Sequence, residues 1–412
     1  MSSPDKQSRP LSGRALLKWT ILALVSILVG LLALSFFLMG RGSKYFKVLR
    51  TYDSIYRLNS VLDLKDGRLL IGPEHFYLIK QNRIVPTKRK LVCERFMPEM
   101  LQLLDKRILI YGGSITENPS DKCREEVAEI LDLKTEKFTP VFNISAVTSR
   151  TSGIMLPDGR VFFIGGFAKQ QKDTTGNRIW LFDAKTNEIK IVGHLIIPRN
   201  RHTLLRLPDD NILIAGGSFA VPRPIFKKGE YKPIPHVTLV ELFNTKTYKT
   251  TSVTNLKFVR NSKTALIPLK GDKVAVIGGI DPTIEDLDSE TFHEHPYFNK
   301  KEPIEIIDLN QKTSSVANTI PQPKSSPAVF ALPDGKIIII GGGAWEQREK
   351  TFRSVFIFDP QRNRVDSLDP LHSFFAGPVS VQTDNADIYL LDFNVIQKFS
   401  YEQYRKDKKK LK

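Results

Sequence analysis

The sequence predicts an all-β protein in which similar four-stranded sheets are arranged in a ring, preceded by one membrane-spanning helix. Three observations favour this fold class. A short motif recurs along the chain, with its glycine pairs 51 to 63 residues apart. Each copy contains four short apolar segments separated by turn residues, which is typical of repeated β-sheets. Near the N-terminus, residues 19–40 carry no charged side chain.

The composition excludes several classes of protein. The chain has 412 residues, of which 41% are hydrophobic and 25% charged, and this balance is typical of a globular protein rather than a disordered one. Two cysteines are too few for a disulfide-dense scaffold or for a zinc site with four cysteine ligands.

Most of the positive charge lies at the two ends of the chain. The formal net charge is +17, and residues 1–50 contain eight Lys or Arg against one Asp, while residues 405–412 contain six against one. Residues 51–404 therefore carry only +5. A nucleic-acid-binding protein normally has a basic stripe on its folded body, so we expect no nucleic-acid partner. We interpret residues 1–18 as a basic head and residues 405–412 as a solvated basic tail.

Residues 19–40 are predicted to form a transmembrane helix. At ~1.5 Å per residue such a helix covers roughly 32 Å, enough for a hydrocarbon core of about 30 Å. The apolar run is longer than that of a cleaved signal peptide, the alternative, so a retained signal-anchor with Trp19 at one interface is favoured. A single span behind a short basic head places the N-terminus in the cytoplasm and the large domain outside the cell membrane.

The recurring motif reads Leu-Pro-Asp-Gly, four or five apolar residues, then Gly-Gly. Five copies are clear, and they run over residues 104–113, 156–166, 207–217, 269–279 and 332–342. Degenerate first and last copies begin at Leu64 and Thr383. The chain therefore contains seven copies.

Each part of the motif predicts a structural element. Asp-Gly between two apolar runs is a strong signal for a tight hairpin, because glycine accepts a positive φ. The run after it, such as residues 336–340, is too apolar for a half-exposed strand and is predicted to be buried on both faces. A second hairpin signature follows the glycine pair, for example over residues 180–187. Four short strands per unit of about 50 residues predict a β-propeller.

The glycine pair after the second strand and the hydrophobic-Asp-x-x-Thr turn before the fourth resemble kelch repeats, as in the central domain of the galactose oxidase family. The resemblance covers about residues 50–404 of a propeller domain predicted over 45–404, although most copies lack the aromatic residue of kelch repeats near the start of the fourth strand. Seven copies imply seven blades, and residues 45–50 are expected to supply the last strand of the seventh blade and close the ring. A six-bladed ring is the alternative if residues 45–89 fold differently.

One face of the predicted propeller carries a ring of cations. The start of strand one, the end of strand two and the start of strand three share this face, and cations stand just before strand one in successive copies. These candidate ligand-binding residues are Arg95, Arg150, Arg199, Arg201, Arg260, Lys263 and Lys324. Such a ring would attract an anion. The alternative is that each cation bridges neighbouring blades through backbone carbonyls.

The two cysteines fall in one repeat. Cys93 precedes its first strand and Cys123 precedes its third, so both are expected on the same face. A disulfide between them would suit an oxidising compartment. Two free thiols are the alternative.

Some kelch-like propellers are enzymes. The resemblance to the galactose oxidase family implies a copper site of two Tyr and two His, with a Cys cross-linked to one Tyr, and no motif in this sequence matches it. Residues 286–295 combine carboxylates with His293 and His295, but no third ligand stands at a supporting spacing. We therefore predict no metal and no other cofactor.

N-acetylneuraminate epimerases also look like kelch propellers, and a basic mouth suits a carboxylated sugar. Such chemistry needs a general base near a polarising cation. The candidates would be Arg201 and Arg260 with Glu241 or His202, and no family motif matches them residue by residue. No catalytic residue is therefore assigned.

We expect a membrane-anchored propeller that acts as a non-catalytic binding module for a protein or an acidic glycan at the cell surface. A carbohydrate-active enzyme, such as a sialic-acid-type epimerase, is the alternative.

Overall fold

A computed structural model describes residues 44–51, 60–96, 98–115, 128–141, 150–166, 175–219, 237–260, 263–279, 301–322, 324, 326–342, 353–372, 379–392 and 395–410. These all belong to one compact unit, Lys44–Lys412, while Met1–Ser43 forms a second unit. The predicted span at 19–40 therefore lies outside the described residues. Among the described residues, no helix is long and apolar enough to cross a membrane.

The described strands form seven sheets of four antiparallel strands, which we number as blades 1 to 7, and two ribbons of two strands. The first strand among the described residues is β1 (Phe46–Thr51), and blade 1 follows with β2 (Val61–Asp63), β3 (Arg68–Ile71), β4 (His75–Leu78) and β5 (Arg83–Pro86). Next come β6 (Arg95–Phe96), β7 (Glu99–Gln102), β8 (Ile108–Tyr111), β9 (Ser114–Ile115), β10 (Ala128–Asp132) and β11 (Lys137–Val141). Strands β7, β8, β10 and β11 form blade 2, and β6 pairs with β9 in the first ribbon.

Blade 3 consists of β12 (Ser152–Met155), β13 (Val161–Ile164), β14 (Arg178–Asp183) and β15 (Glu188–His194). The strands that follow are β16 (Arg199–Asn200), β17 (Thr203–Arg206), β18 (Ile212–Ala215), β19 (Ser218–Phe219), β20 (Leu239–Phe243) and β21 (Thr250–Asn255). Strands β17, β18, β20 and β21 form blade 4, and β16 pairs with β19 in the second ribbon. Short 3-10 helices occupy Ile79–Gln81 and Thr175–Asn177.

Blade 5 consists of β22 (Ala265–Leu269), β23 (Lys273–Ile277), β24 (Glu302–Asp308) and β25 (Thr313–Ile320). Blade 6 consists of β26 (Ala328–Ala331), β27 (Ile337–Ile340), β28 (Val355–Asp359) and β29 (Arg364–Leu368). The last strands are β30 (Ser380–Gln382), β31 (Ile388–Asp392) and β32 (Val395–Phe399), and helix α1 (Tyr401–Lys410) follows them.

The N-terminal strand closes the ring. Strand β1 pairs antiparallel with β32 and completes blade 7 in the order β1-β32-β31-β30. The first strands of neighbouring blades approach each other, and β2 contacts both β7 and β30. The prediction of an all-β propeller with seven blades, closed by the strand after residue 45, is confirmed.

Apolar packing between blades holds the ring together. Seven clusters of buried side chains occur among the described residues, and each combines side chains from two neighbouring blades. The cluster between blades 7 and 1, for example, joins Tyr389 and Ile396 to Leu69 and Tyr77. Each second strand is buried on both faces, as in Ile337–Ile340, which explains the apolar runs of the motif.

The glycine pairs are required by close approach between blades. Gly165 and Gly166 have φ angles of 62° and 114°, which disfavour residues with a side chain. A Cβ on Gly165 would collide with the backbone oxygen of Arg199, in the segment that leads into blade 4. The pairs are therefore the points where one blade contacts the entry to the next.

Helix α1 differs from the solvated tail expected at 405–412. Tyr404 is buried against Phe399 and Phe46, and Lys44 Nζ lies 2.9 Å from the Asp407 carboxylate. The basic residues up to Lys410 thus belong to a helix that packs on blade 7.

Candidate functional site

The propeller has two unlike faces. The hairpin face carries the turns between strands one and two and between strands three and four of each blade. The loop face carries the glycine pairs and the linkers that lead from one blade into the first strand of the next. All seven predicted ligand-binding cations lie in such linkers, and therefore on the loop face.

Four of the seven cations are buried: Arg95 is 5% exposed, and Arg199, Arg260 and Lys324 are fully buried. Each side chain donates to a glycine carbonyl of its own blade, and the acceptors are Gly112, Gly216, Gly278 and Gly342, respectively. We call these four residues the buried cations.

The backbone of the buried cations bridges to the preceding blade. The N–H groups of Gly166, Gly217 and Gly279 donate to the carbonyls of Arg199, Arg260 and Lys324 at 3.0, 2.7 and 3.1 Å. Each of these three residues thus contacts its own blade through the side chain and the previous blade through the main chain. These contacts agree with the interpretation that such cations bridge blades.

Buried glutamates form ion pairs with Arg199 and Arg260, and a third buried glutamate, Glu129, interacts electrostatically with Arg95. Glu129, Glu241 and Glu305 lie on the third strands of blades 2, 4 and 5, each three residues before the Asp or Asn of the turn. Glu241 accepts hydrogen bonds from Arg199 Nη2 and from the backbone N–H groups of Ile196 and Ile197. The Glu241 carboxylate is thus hydrogen-bonded to the linker and is not available as a general base.

The most heavily charged contact is at the entry to blade 5. The Arg260 guanidinium lies 3.1 Å from a Glu302 oxygen and 3.0 Å from a Glu305 oxygen, with all three side chains buried. Glu302 also accepts the backbone N–H of Lys324 at 3.1 Å. Two cations and two carboxylates therefore balance in charge within the protein interior, where an unpaired charge would be costly.

Burial shifts the protonation of this cluster. Desolvation raises the pKa of Glu302 to about 7, although Arg260 and the Lys324 N–H oppose the shift. Desolvation lowers the pKa of Lys324 to about 7, and Glu302 opposes that shift. The Lys324 ammonium lies 2.5 Å from the Ser354 hydroxyl and 5.4 Å from the centre of the Phe356 ring. Perturbed groups can mark active sites, but here they are enclosed by protein contacts.

The other three cations, Arg150, Arg201 and Lys263, are exposed. Each stands two residues before the first strand of its blade, and the three blades are the consecutive blades 3, 4 and 5. Because the first strands form the innermost ring, these residues border one side of the mouth of the central channel on the loop face. We call these three residues the rim cations.

Equivalent hydrogen bonds fix the rim cations in equivalent places. The Ser152 hydroxyl donates to the carbonyl of His202 at 2.8 Å, and the Thr203 hydroxyl donates to the carbonyl of Thr264 at 2.6 Å. His202 and Thr264 directly follow Arg201 and Lys263, so blades 3 and 4 each hold the backbone beside the rim residue of the next blade.

The backbone at Arg150 and Arg201 is unusual. Their φ angles are 68° and 57°, and every other described non-glycine residue with a positive φ lies in a hairpin turn. Such conformations are uncommon away from turns and cluster at functional sites. The rim is therefore a place where the chain maintains a strained backbone beside an exposed guanidinium.

His202 lies directly beneath the rim. Its side chain is 4% exposed, its ring contacts the segment at Gly165, and neither ring nitrogen forms a hydrogen bond of good geometry. Burial, followed by the charge of Arg199, lowers the pKa of the imidazole to about 3. His202 is therefore neutral at neutral pH and a weak base.

Glu129 and Glu305 were not among the sequence-predicted site residues. The signal for them is a Glu in a mostly apolar third strand, three residues before the Asp or Asn of the turn. That signal identifies a partner for the linker cations rather than a catalytic group.

Cys93 is buried and disulfide-bonded. Its predicted partner, Cys123, is the only other cysteine of the chain and lies outside the described residues. The pairing of the two stays a prediction.

The described residues contain no group of three or more His, Cys, Asp or Glu side chains that could hold a metal ion. The acidic segment 286–295 lies outside them. With Cys93 in a disulfide, the described side chains do not fit the copper site of galactose oxidase-type enzymes.

No protein-family model matches the chain, and no curated protein matches it in sequence. Among solved structures, the chain is similar to a fungal alcohol oxidase of the AA5 family in complex with copper. The two are 16% identical with a TM-score of 0.53, and the similarity covers 87% of this chain and 74% of that chain. At this identity the similarity shows the propeller fold alone.

Proposed function

We propose that this propeller is a non-catalytic binding module that recognises an acidic segment of a protein partner at the rim cations. The observation that carries the proposal is the placement of Arg150, Arg201 and Lys263 at one equivalent position on three consecutive blades, all exposed. Guanidinium groups bind carboxylates in a bidentate manner, and cations around a concave mouth reinforce each other's field.

Exposed apolar side chains on the same face favour a protein over a glycan. Val92, Ile196 and Phe258 are 49%, 50% and 38% exposed, and each stands seven residues before the first strand of its blade. An outer ring of apolar residues around an inner ring of Arg and Lys resembles the composition of protein interfaces, in which aromatic residues and Arg are enriched.

The membrane anchor belongs to the same proposal. An uncharged segment at 19–40 would tether the propeller to the cell membrane and display it outside the cytoplasm. The propeller would then be available to a partner at the cell surface.

The rim can be tested with a labelled peptide of ten glutamates as probe, using the full chain in a neutral detergent. The triple variant Arg150→Ala, Arg201→Ala, Lys263→Ala should weaken peptide binding about 10- to 100-fold, because three ion pairs are lost. Thermal unfolding should change little because all three side chains are exposed.

A matched control is the triple variant Lys106→Ala, Lys246→Ala, Lys312→Ala. These lysines are exposed on the hairpin face, and Lys106 and Lys312 share the positive φ of the two rim arginines. Binding should stay within about twofold of the unmodified chain. Equal losses of peptide binding in the two triple variants would contradict specific recognition by the rim cations. Rim-dependent binding of an oligogalacturonate, without binding of the peptide, would show an acidic glycan as ligand instead.

One observation favours the alternative of a carbohydrate-active enzyme. His202, whose ring nitrogens form no hydrogen bond of good geometry, directly follows the rim residue Arg201, which gives the base-beside-cation arrangement of an epimerase. Its low pKa and its burial argue against the role. Turnover of an acidic sugar that is lost in His202→Phe would favour the enzyme.

A further inference from the structure

One carboxylate borders the channel mouth beside the rim cations. Glu99 is exposed and is the first residue of β7, the innermost strand of blade 2. Among the first residues of the seven innermost strands, all of which the structure describes, Glu99 alone is charged. The other six are Val61, Ser152, Thr203, Ala265, Ala328 and Ser380. Blade 2 directly precedes blade 3, the blade that carries the rim cation Arg150.

The side chain of Glu99 lies on the side of β7 that faces blade 3. Side chains alternate between the two faces of a strand. Met100 packs into the apolar cluster shared with blade 1, and Leu101 packs against the cluster shared with blade 3, so Glu99 shares the face of Leu101. In agreement, burial, followed by the charge of Glu99, raises the pKa of the Tyr111 hydroxyl. A Cβ on Gly153, in the innermost strand of blade 3, would collide with that hydroxyl.

The position of Glu99 holds the next blade elsewhere in the ring. In blades 3 and 4 it is occupied by Ser152 and Thr203, whose hydroxyls donate to the carbonyl of the residue that follows the next rim cation. An ionised carboxylate has no proton to donate, so Glu99 cannot make this contact with Thr151, which follows Arg150. Within the described part of the chain, the Glu99 carboxylate has no hydrogen bond or ion pair. A contact between blades is thus replaced by an exposed negative charge.

This charge alters what the mouth attracts. Along the described side of the mouth, the charges run from negative at blade 2 to positive at blades 3, 4 and 5. The Glu99 carboxylate opposes the field of the rim cations and repels a purely acidic ligand. A ligand that places a cation next to its own carboxylates is attracted by both signs of charge.

We propose that Glu99 makes the channel mouth selective for a partner segment in which a cationic nitrogen, a lysine ammonium or a free α-ammonium, stands next to the carboxylates. This inference rests on the proposed function of the rim cations. It narrows the partner from an acidic segment to one of mixed charge, and it assigns the cation to blade 2 and the carboxylates to blades 3 to 5.

The test compares three labelled peptides on the full chain in a neutral detergent. The first has a glutamine between two runs of five glutamates and blocked ends. The second has a lysine in place of the glutamine, and the third is the first with a free N-terminus. The lysine or the free-terminus peptide should bind roughly two- to fivefold tighter than the first, as expected for one exposed ion pair. Attraction to the rim cations alone predicts the reverse, because both peptides carry one net negative charge fewer.

The variant Glu99→Gln should abolish this preference, so that the blocked glutamine peptide binds at least as tightly as the other two. Thermal unfolding should not change, because the Glu99 side chain is exposed. The matched control is Glu94→Gln, which removes the same charge from an exposed residue of the linker into the same blade. The preference should persist in this control.

The outcomes separate this inference from the proposed function. If the rim triple variant weakens peptide binding but neither cationic peptide binds tighter than the first, the role of Glu99 is contradicted and the rim stands. Loss of the preference in Glu94→Gln as well as in Glu99→Gln would also contradict a specific role of Glu99. If no peptide depends on the rim cations, the proposed function fails and the selectivity fails with it. A gain for only one of the two cationic peptides supports the inference and identifies which ammonium is recognised.

Discussion

The buried cations and the rim cations share the linkers into blades 4 and 5, and there they have opposite environments. Arg199 and Arg201 are two residues apart, yet Arg199 is fully buried against Glu241 and Arg201 is exposed. The difference follows from position relative to the first strand. Four or five residues before that strand, the chain crosses between blades and its side chain points into the packed interface. Two residues before it, the chain has reached the channel mouth. The same residue type therefore supports the fold at one position and is available to a ligand at the next.

The largest expected effect is a loss of stability when one of the buried cations is replaced. Arg260→Met leaves the carboxylates of Glu302 and Glu305 buried without their shared cation. Removing one partner of such a cluster costs about 3–5 kcal/mol. Denaturant unfolding of Arg260→Met should show this loss, while Lys263→Met should stay within about 0.5 kcal/mol of the unmodified chain. Equal stabilities of the two variants would remove the distinction between the sets.

A smaller effect is expected in the pH dependence of stability, through His202, which directly follows the rim cation Arg201. Its pKa is about 3 in the folded protein and about 6.5 in an unfolded chain. Because the folded pKa is depressed, the contribution of His202 to stability is complete above pH 6.5 and is lost as the pH falls. From pH 6.5 to 5, the unmodified chain should lose about 1.5 kcal/mol relative to His202→Phe. Parallel pH profiles for the two proteins would show that the imidazole is accessible to water.

The local sequence predicted most of the fold and only part of the candidate site. The hairpin and glycine signals predicted seven blades and the closing strand, because each depends on a few adjacent residues. Helix α1 was missed because its basic run hides a short packed face around Tyr404, which exists only against blade 7. The roles of Arg199 and Arg201 could not be separated for the same reason, since the burial of Arg199 depends on Glu241, which is 42 residues further along the chain.

The most direct test of the account is a crystal structure of the propeller with the ten-glutamate peptide. We predict carboxylates at roughly 2.7–2.9 Å from the nitrogens of Arg150 and Arg201, with Lys263 beside them and Arg199, Arg260 and Lys324 still bound to their glycine carbonyls. A peptide bound only on the hairpin face, or a loop face on which the buried cations turn outward to the ligand, would contradict the separation of the two sets.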